Sequence, residues 1–409
     1  MSQLRKKGSC IVAGGGPAGM MTGYLLARAG IDVVVLEKHG DFLRDFRGDT
    51  IHPSTMDILA ELGCLDEFLA LPHQEVAHAD LEIGGERVRA MDLSHLPARC
   101  RFIAFIPQWD FLDFLAARAR RFPSFKLKMD AEAVDLVREG DRIVGVEVRT
   151  KDEVSPFRAD LIIAADGRHS TLRRAAKLEG RDLRAPMDVL WFKLPRHIHD
   201  DHAVLGRIEA GQALVMLDRG DYWQCALIIR KGTADVVKAQ GLEAFRSRIA
   251  TLTARSMADE IKDIDDVKLL TVVVDRLRTW WRPGLLCIGD AAHAMSPIGG
   301  VGINLAIQDA VAAANAVAEP LRAGRLSDAH LQSVQRRRRF PTWATQTLQV
   351  AAQNHIIDPI LNSSAPPKVP WALRLMQYLP ILQRVPARLI GIGFTPEHVE
   401  IAAATAEAP

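Results

Sequence analysis

The sequence predicts an α/β protein built from two interleaved domains and a helical C-terminal extension. Three observations predict this class. Near the N-terminus, a glycine-rich turn joins a buried strand to a helix, and a second strand follows. The middle of the chain holds short strand-like segments separated by turn residues, which is typical of antiparallel sheets. The last part is helical in pattern and is interrupted by prolines.

Composition excludes several classes of protein before any motif is considered. The 409 residues are 48% hydrophobic and 25% charged, as in an ordinary globular protein long enough for two domains. The 52 cationic and 50 acidic residues leave a net charge of +2, so no basic field predicts a nucleic-acid partner. We expect the arginine run at 336–339 to be a solvated helix face.

The cysteine content and the hydropathy of the chain indicate its cellular location. Five cysteines, an odd number with no C-x-x-C pair, predict neither a disulfide framework nor a metal site. We therefore expect a reducing, cytoplasmic location. No stretch approaches the roughly 20 apolar residues of a membrane-spanning helix, so we expect no transmembrane segment.

The N-terminal unit is predicted to be β-α-β. A strand at 9–13 is followed by a helix at 17–29, which Gly30 ends. A second strand at 31–37 contains three consecutive valines, which is typical of a buried parallel strand. Further helices are predicted at 108–121 and 302–318. The other predicted strands are 80–83, 86–90, 101–106, 133–139, 142–149, 161–165, 189–194, 213–217, 222–229, 267–274 and 285–289.

These elements divide the chain into two discontinuous domains. We predict a Rossmann-type nucleotide-binding domain from residues 1–75, 107–180 and 275–345. A mostly antiparallel substrate domain is expected from residues 76–106 and 181–274. Residues 346–409 are expected to form the helical extension. Its apolar part, residues 370–394, is expected to pack against the protein, and could instead close the substrate pocket, form a dimer face or contact a membrane.

The first motif is G-x-G-x-x-G at residues 14–19, between the first strand and the first helix. Gly14 permits the tight turn, Gly16 lets the main chain approach a pyrophosphate, and Gly19 allows close packing of helix on strand. The helix N-terminus, which begins with Pro17 and Ala18, offers N–H groups and a positive dipole to phosphates. At the end of the second strand, Glu37, followed by Lys38, can bind the hydroxyls of an adenosine ribose.

The second motif, GDAAH at residues 289–293, distinguishes FAD from NAD as the bound nucleotide. Asp290 follows a predicted strand and can accept hydrogen bonds from a ribityl chain. Beyond it, glycines permit close approach to a flat ring system, and a helix N-terminus stabilises negative charge on that ring. The predicted contacts in this segment are Pro297, Gly299, Gly300, Gly302, Ile303 and Asn304.

A third motif lies between these two, at residues 166–173. Asp166-Gly167-Arg168-His169-Ser170-Thr171-Leu172-Arg173 matches the pattern D-G-x-x-S-x-x-R. Together, and in their order along the chain, the three motifs resemble those of the class A flavoprotein monooxygenases, the family similar to 4-hydroxybenzoate hydroxylase. The resemblance spans residues 9–345. It implies that Asp166 and Gly167 take part in FAD and NAD(P)H binding.

The resemblance implies three further cofactor contacts. Arg47 resembles the arginine that contacts FAD near the isoalloxazine, although it could be a surface cation. Gln108 occupies the place of a polar FAD contact, or is simply the first residue of a helix. Val134 resembles the residue beside the adenine, or belongs to the core.

The resemblance also implies an activity. NADPH or NADH would reduce FAD, O₂ would add to form a flavin C4a-hydroperoxide, and an aromatic or other hydrophobic small molecule would be hydroxylated. A flavin halogenase is disfavoured because residues 191–195, WFKLP, do not match W-x-W-x-I-P. A reductase of isoprenoid double bonds and a non-catalytic FAD-fold binding protein remain alternatives. The oligomeric state stays open, a homodimer included.

The sequence indicates the substrate-binding residues less clearly than the cofactor-binding ones. Tyr222 and Gln224 share a strand face by their equal parity, and both could line a pocket. Tyr222 and His52 are the conceivable acid–base residues, although no spacing supports either. The predicted pocket residues are Trp191, Phe192, Met216, Tyr222 and Gln224.

Overall fold

The computed structural model describes residues 8–43, 50–196, 204–253 and 255–403. Its strands, in chain order, are β1 (Ser9–Ala13), β2 (Asp32–Leu36), β3 (Thr50–Ile51), β4 (Gln74–Val76), β5 (His78–Ile83), β6 (Glu86–Asp92), β7 (Ile103–Phe105), β8 (Phe125–Lys128), β9 (Glu132–Glu139), β10 (Arg142–Arg149), β11 (Val154–Arg158), β12 (Leu161–Ala164), β13 (Gly180–Asp182), β14 (Met187–Pro195), β15 (Val204–Glu209), β16 (Gln212–Asp218), β17 (Tyr222–Arg230), β18 (Lys268–Leu270), β19 (Asp275–Leu277), β20 (Trp281–Arg282) and β21 (Leu285–Cys287).

The α-helices alternate with these strands and then dominate the C-terminal part. They are α1 (Pro17–Arg28), α2 (Pro53–Glu61), α3 (Leu65–Leu69), α4 (Gln108–Ala119), α5 (Thr171–Ala175), α6 (Ala234–Ala239), α7 (Gly241–Ala250), α8 (Arg255–Ala258), α9 (Gly302–Arg322), α10 (Asp328–Ala352), α11 (Asp358–Asn362), α12 (Trp371–Tyr378) and α13 (Arg384–Gly391). The predicted α/β class is confirmed.

A six-stranded sheet forms the first layer, in the order β20-β21-β12-β1-β2-β8. Its strands pair in parallel except for β20, which is antiparallel to β21. Successive residues of β1 face opposite sides, because side chains alternate along a strand. Val12 packs toward α1, α4 and α9, whereas Ile11 packs toward β9, β10 and α5. Covering both faces explains why these strands are apolar throughout.

A seven-stranded sheet forms the second layer, in the order β18-β14-β17-β16-β15-β5-β6. Its pairs are antiparallel apart from β15 with β5. Helices α6, α7 and α8, which the sequence analysis did not predict, cover one face. The domain boundaries themselves stay a prediction.

The predicted strand at 267–274 is wrong beyond residue 270. The pairing with β14 stops there, since only residues 268–270 have sheet partners in this stretch. Beyond it, the main-chain N–H of Val272 donates to Oδ1 of Asp188 over 2.9 Å. A buried side-chain acceptor thus replaces the sheet ladder for that group.

The arginine run on α10 also differs from the expectation. Arg336, Arg337 and Arg339 are exposed, as predicted, but Arg338 is fully buried. It lies at a position where the helix packs on α9 and meets carboxylates from elsewhere in the chain. The prediction of a uniformly solvated face was therefore wrong at this position.

Helix α9 is the one apolar segment, within the described residues, with the length and hydropathy of a membrane span. The segment Ile298–Arg322 satisfies those criteria, but 83% of its most apolar window is buried inside the protein. It packs against α1 and the six-stranded sheet. Its apolar character is therefore explained by its place at the centre of the first domain.

Candidate active site

The carboxyl ends of three adjacent strands bring the three sequence motifs together. Strand β1 lies between β2 and β12, and β21 lies beside β12. Ala165 donates its N–H to the carbonyl of Ala13 over 2.8 Å, and Ile288 donates to Ala164 over 3.0 Å. The motifs that begin at residues 14, 166 and 289 therefore leave the sheet at one edge, which is where parallel α/β sheets bind ligands.

The first glycine motif has the conformation that a pyrophosphate needs. Gly14 has φ +105°, and a β-carbon there would lie 2.3 Å from the carbonyl oxygen of Ala165. A β-carbon at Gly19 would lie 1.9 Å from the carbonyl oxygen of Gly14. At Gly16, by contrast, a β-carbon would meet no described atom within 4 Å. Gly14 and Gly19 are therefore required by the protein, whereas the space at Gly16 faces outward.

The N-terminus of α1 is arranged for an anion. Its first turn contains no acidic residue, and no side chain caps it among the described residues. Pro17 has no N–H, so the N–H groups of Ala18 and Gly19 are the ones that point along the axis. Ala18 also touches the second motif, because a β-carbon at Gly289 would lie 3.1 Å from its Cβ. These features fit a diphosphate at this helix end.

Glu37 is held in place by main-chain donors. Oε2 accepts from the N–H of Gly15 over 2.9 Å, and Oε1 accepts from the N–H of His39 over 3.0 Å. The side chain is buried, while the neighbouring Lys38 is exposed. Each carboxylate oxygen can accept more than one hydrogen bond, so a ribose diol could be bound in addition.

Asp166 has one satisfied oxygen and one that the described protein leaves without a partner. Oδ2 accepts from the N–H groups of Thr171 and Leu172 over 2.8 and 3.1 Å. Oδ1 is buried and has no hydrogen-bond partner among the described residues. Burial raises the pKa of this carboxyl, even though the hydrogen bonds act in the other direction. An orphaned buried acceptor is expected where a ligand hydroxyl will bind.

The second motif is supported from below by Asp309, a residue that the sequence analysis missed. Oδ2 of Asp309 accepts from the N–H of Gly289 over 3.0 Å and lies 2.5 Å from Nε2 of His293. Oδ1 accepts from Nε of Arg338 over 2.9 Å. Burial alone would raise the pKa of Asp309, but His293 and Arg338 outweigh it and lower the pKa. Asp290 itself is exposed beyond this support.

Three buried glutamines on one face of α10 and its continuation hold the segment that follows the second motif. Gln346 donates from Nε2 to the carbonyl of Ala294 over 3.0 Å. Gln349 donates to the carbonyls of Ser296 and Ile298, both over 2.9 Å. Gln353 donates to Oγ of Ser296 over 2.7 Å. The sequence analysis missed them; their spacing of three and four residues, a polar stripe on a helix, was the available signal.

Beyond Pro297, which is half-buried, the glycine pair is clamped against β3. Gly299 and Gly300 have φ +77° and +64°, a region that favours glycine. Oγ1 of Thr50 donates to the carbonyl of Gly300 over 2.9 Å. A β-carbon at Gly300 would lie 2.5 Å from that hydroxyl oxygen. The loop therefore presents main chain rather than side chains at this edge.

Asn304, predicted as a cofactor contact, uses its side chain within the protein. Oδ1 accepts from the N–H of His52 over 2.9 Å and from the hydroxyl of Thr55 over 2.6 Å. We therefore correct its role: the side chain fastens α9 to α2, and the main chain remains for a ligand. Gly302 and Ile303 open α9, whose first turn has no acidic residue and no side-chain cap. That N-terminus can stabilise negative charge.

His52 is placed as a structural residue. Its side chain is fully buried, and Nδ1 lies 2.7 Å from the carbonyl oxygen of Ile390 on α13. Burial lowers the pKa of the imidazole to about 4, with a smaller opposing effect from the Ile390 hydrogen bond. A neutral imidazole must use its single N–H to donate to that carbonyl. His52 is therefore a weak base that joins the C-terminal extension to the cofactor domain.

The candidate substrate wall is only partly as predicted. Phe192 pairs with Cys225 and is packed against Phe245 of α7, with ring centroids 5.3 Å apart. Met216 faces the same helices. These two residues lie on the helix-covered side of the sheet, so the prediction that they line a pocket was wrong. Both residues pair with Cys225, which also faces these helices, and this register cannot be read from alternation within a single strand.

The opposite face of the same sheet carries the other candidates. Trp191 is half-buried there and, like Val215 and Ile390 of the extension, packs against an apolar cluster that includes Leu217. Gln224 pairs with Leu217, is buried, and accepts from Nε of Arg219 over 3.0 Å. Tyr222 lies at the strand end, where Nζ of Lys193 is 4.4 Å from its ring centroid.

This face and the second glycine loop share a neighbour, Ile390. A β-carbon at Gly299 would lie 3.6 Å from Cγ1 of Ile390. The apolar face of the second domain therefore meets the cofactor loop beneath α13. The apolar cluster that includes Leu217 and Ile390 therefore lies beside the loop that holds Gly299.

The remaining predicted contacts stay predictions. Gln108 is half-buried at the first position of α4, and no described residue hydrogen-bonds to its side chain. Val134 is half-buried on β9, whereas its neighbour Ala133 is in the core. Gly167 has φ +82°, and open space lies where its β-carbon would be. Arg47 lies outside the described residues.

Comparison with known proteins decides which nucleotide fold this is. A family model described as an FAD binding domain matches residues 7–348. The 6-methylpretetramide 4-monooxygenase of Streptomyces rimosus is 31% identical over 382 residues, which cover 92% of this chain and 91% of that enzyme. The chain belongs to the class A FAD-dependent monooxygenases. The predicted family, enzyme class and FAD cofactor are confirmed.

A further relative is similar to this chain in sequence, and a solved structure is similar to it in fold. The para-nitrophenol 4-monooxygenase of Pseudomonas sp. strain WBC-3 is 25% identical over 333 residues, covering 77% of this chain and 78% of that enzyme. The solved anhydrotetracycline hydroxylase OxyS of Streptomyces rimosus has a TM-score of 0.76 at 21% identity, over 94% of this chain and 75% of that one. The structural likeness extends to the seven-stranded sheet and the extension.

The residues of this chain fit FAD. Gly16 and the N-terminus of α1 would hold the diphosphate, and Glu37 would hold the adenosine ribose. The unpartnered Oδ1 of Asp166 and the exposed Asp290 are suited to ribityl hydroxyls. The N-terminus of α9 would lie at the flavin ring. The chain is an FAD-dependent monooxygenase that uses NAD(P)H and O₂ to act on an aromatic or hydrophobic small molecule.

Proposed function

We propose that the substrate is a polycyclic phenol, larger than a single aromatic ring. The observation that carries the proposal is the apolar face of the second sheet beside the cofactor loop. Trp191, Val215 and Leu217 form that face, and Ile390 covers it from the extension. An extended apolar wall suits several fused rings, which gain more from burial than one ring does. The relative from Streptomyces rimosus that acts on 6-methylpretetramide supports the same substrate class.

A polar end of this wall would orient the substrate. Gln224 is buried on the same face, and its Oε1 accepts a hydrogen bond from Nε of Arg219, so this position combines an amide with a cation at the polar end. Tyr222 and Lys193 lie further along the strands, at the edge. A phenolic or quinone oxygen placed near Gln224 would fix which ring carbon faces the cofactor.

The protein's contribution to the reaction is positioning and exclusion of water. Bound FAD, once reduced by NAD(P)H, supplies the activated oxygen. Helix α13 covers the apolar face formed by Trp191, Val215 and Leu217. The hydrogen bond between His52 and Ile390 holds that helix against the cofactor domain. Burial lowers the pKa of His52 to about 4, so its ring is neutral at neutral pH and only a weak proton acceptor. The electron-rich ring of a phenol or phenolate is itself the nucleophile toward the activated oxygen, so no side-chain nucleophile is needed.

The experiment is a substrate panel on the FAD-loaded enzyme. Tetracyclic and tricyclic phenols are compared with phenol, para-nitrophenol and indole, following NAD(P)H consumption and product mass together. We expect at least about tenfold higher kcat/KM for the polycyclic compounds, with oxidation of NAD(P)H coupled to product. Preferential, coupled hydroxylation of single-ring phenols would refute the proposed substrate class. Reduction of an isoprenoid double bond without oxygen uptake would support the reductase alternative.

A cytoplasmic location is also proposed. All five cysteines are buried and unpaired as thiols. Burial raises the pKa of Cys100, which lowers the fraction of reactive thiolate. A chain without disulfides is suited to reducing surroundings. Fractionation of the source cells with an antibody to this chain tests the location.

A further inference from the structure

A cavity lined by arginines lies outside the site described so far. It has a volume of about 430 Å³ and lies between the β13–β19 pair and α10. Arginine side chains from three segments of the chain supply its charge, and an indole and an amide complete it. The lining residues are Arg181, Arg276, Arg278, Arg339, Trp280 and Gln335.

Three of the four arginines have no carboxylate partner among the described residues, and the fourth has one only at the rim. Among the described residues, no carboxylate lies within ion-pair distance of Arg181, Arg276 or Arg339. Arg278 is 3.9 Å from Glu179, and both of those side chains are about four-fifths exposed at the rim. Burial lowers the pKa of Arg276, and the neighbouring Arg339 and Arg181 lower it further. Arg181, Arg278 and Arg339 are exposed and Arg276 is half-buried, so water screens part of their repulsion, and an anion in the pocket would reduce it further.

The cavity adjoins the cofactor segments on its inner side. Leu277 donates its N–H to the carbonyl of Ala292 over 2.8 Å, so β19 lies directly against the second motif. The ring of Trp280 is 4.9 Å from the ring of His293. Arg173 of the third motif pairs with Asp275 over 3.0 Å. A ligand in the cavity would therefore be separated from the FAD motifs by one layer of chain.

We propose that this arginine pocket binds the 2′-phosphate of NADPH, and that the enzyme uses NADPH in preference to NADH. The proposal rests on the NAD(P)H-dependent activity described above. A phosphate dianion suits several arginines, because each guanidinium can donate two parallel hydrogen bonds to phosphate oxygens. NADH, in contrast, offers a ribose hydroxyl, which proteins bind with a carboxylate. Among the described residues that line the pocket, four are arginines and none is acidic.

The shared chemistry is a phosphate group, and three ligands distinguish its sources. NADP⁺, NAD⁺ and inorganic pyrophosphate are each titrated into the FAD-loaded enzyme by isothermal calorimetry. The variants are Arg181→Gln and Arg339→Gln. Arg336→Gln, on the exposed side of α10, is the matched control because it removes the same charge from the same helix. Thermal unfolding and FAD absorbance confirm that each variant is folded and loaded.

We expect the unmodified enzyme to bind NADP⁺ at least about tenfold more tightly than NAD⁺. Each pocket variant should weaken NADP⁺ by about tenfold and leave NAD⁺ unchanged, with a shallower dependence of NADP⁺ affinity on salt. Arg336→Gln should bind both nucleotides as the unmodified enzyme does. In the two pocket variants, the apparent Kd for NADPH in anaerobic flavin reduction should rise by the same factor.

Two outcomes would overturn the proposal. Equal loss of NADP⁺, NAD⁺ and pyrophosphate binding would assign the pocket to the diphosphate that both nucleotides share. Unchanged binding of all three in Arg181→Gln and Arg339→Gln would remove the pocket from nucleotide recognition. In either case, the proposed activity stands as long as the enzyme still binds FAD and oxygenates substrate. If neither NADPH nor NADH reduced the bound flavin, the NAD(P)H-dependent activity itself would be refuted.

Discussion

Arg338 and Asp309 form an ion pair at the centre of the molecule, with Nε of the guanidinium 2.9 Å from Oδ1 of the carboxylate. Both side chains are fully buried. The other carboxylate oxygen supports Gly289 and His293, so one residue joins α10 to the second FAD motif. On the far side of the guanidinium, Glu397 lies 3.4 Å from Nη1. The pair therefore fastens the C-terminal part of the chain beneath the cofactor loop.

Replacing Asp309 with Ala should destabilise the protein by about 3 to 5 kcal/mol, because it leaves Arg338 buried without its nearest carboxylate. FAD retention should fall with it, since Gly289 loses its support. Urea unfolding and the ratio of flavin to protein absorbance measure both effects. Arg336→Gln, exposed on the same helix, should change stability by no more than about 0.5 kcal/mol. Equal stability of the two variants would argue against a structural role for the pair.

Replacing Gly16 with Ala should separate cofactor binding from folding. The residue has φ −73°, which alanine tolerates, and its β-carbon would touch no described atom. We expect the apoprotein to keep its unfolding temperature, whereas the Kd for FAD rises by about tenfold or more because the methyl group occupies the diphosphate space. Fluorescence titration of the apoprotein with FAD measures the affinity.

The comparison variant for this prediction is Gly14→Ala. Its β-carbon would lie 2.3 Å from a main-chain oxygen, and the residue has φ +105°. This variant should therefore lose stability even without FAD. If Gly16→Ala bound FAD as tightly as the unmodified chain, the diphosphate could not lie at this turn.

The buried His52 predicts a pH dependence of stability. Its pKa falls from 6.5 to about 4 on folding, because burial disfavours the charged ring. The unfolded chain therefore binds more protons between pH 6.5 and 4, and stability is lost as the pH falls through that window. The loss amounts to about 3 kcal/mol. His52→Gln should flatten the urea-unfolding free energy over this range, and the exposed His355→Gln should not. An unchanged slope in His52→Gln would assign the dependence to other groups.

Adjacent positions on β14 test the assignment of the two sheet faces. Trp191 packs against the same apolar cluster as Ile390, whereas Phe192 packs against Phe245 on the face that the helices cover. Trp191→Ala should raise KM for the substrate and increase uncoupled NAD(P)H oxidation several-fold. Phe192→Leu should lower the free energy of unfolding by about 1 kcal/mol and leave KM unchanged. The opposite pattern would exchange the two faces.

Much of the cofactor site could be predicted because local rules impose it. Gly14 and Gly19 are required by close approaches within one strand–turn–helix unit, so spacing alone identifies them. Asp309 and Arg338 could not be found in the same way. Their partners lie 16 to 59 residues away in sequence. Within a run of four arginines, the sequence alone does not show which one is buried.

The substrate wall shows a second limit. Alternation correctly placed Tyr222 and Gln224 on one face of β17. Relating that face to β14 and β16 required the register, in which Phe192 pairs with Cys225 and Met216 pairs with the same residue. Which face is covered depends on α6, α7 and α8, whose short amphipathic pattern was not recognised. Phe192 and Met216 were misplaced for this reason.

The most direct test of the account is turnover under ¹⁸O₂, with the FAD-loaded enzyme, NADPH and the best polycyclic phenol of the panel. The account predicts that one ¹⁸O atom enters the product for each NADPH consumed, as measured by mass spectrometry. The Gly16→Ala protein, depleted of FAD, should form no labelled product. Oxidised product that carries no ¹⁸O, or NADPH oxidation that yields only hydrogen peroxide with every substrate tried, would contradict an oxygen-inserting function for this site.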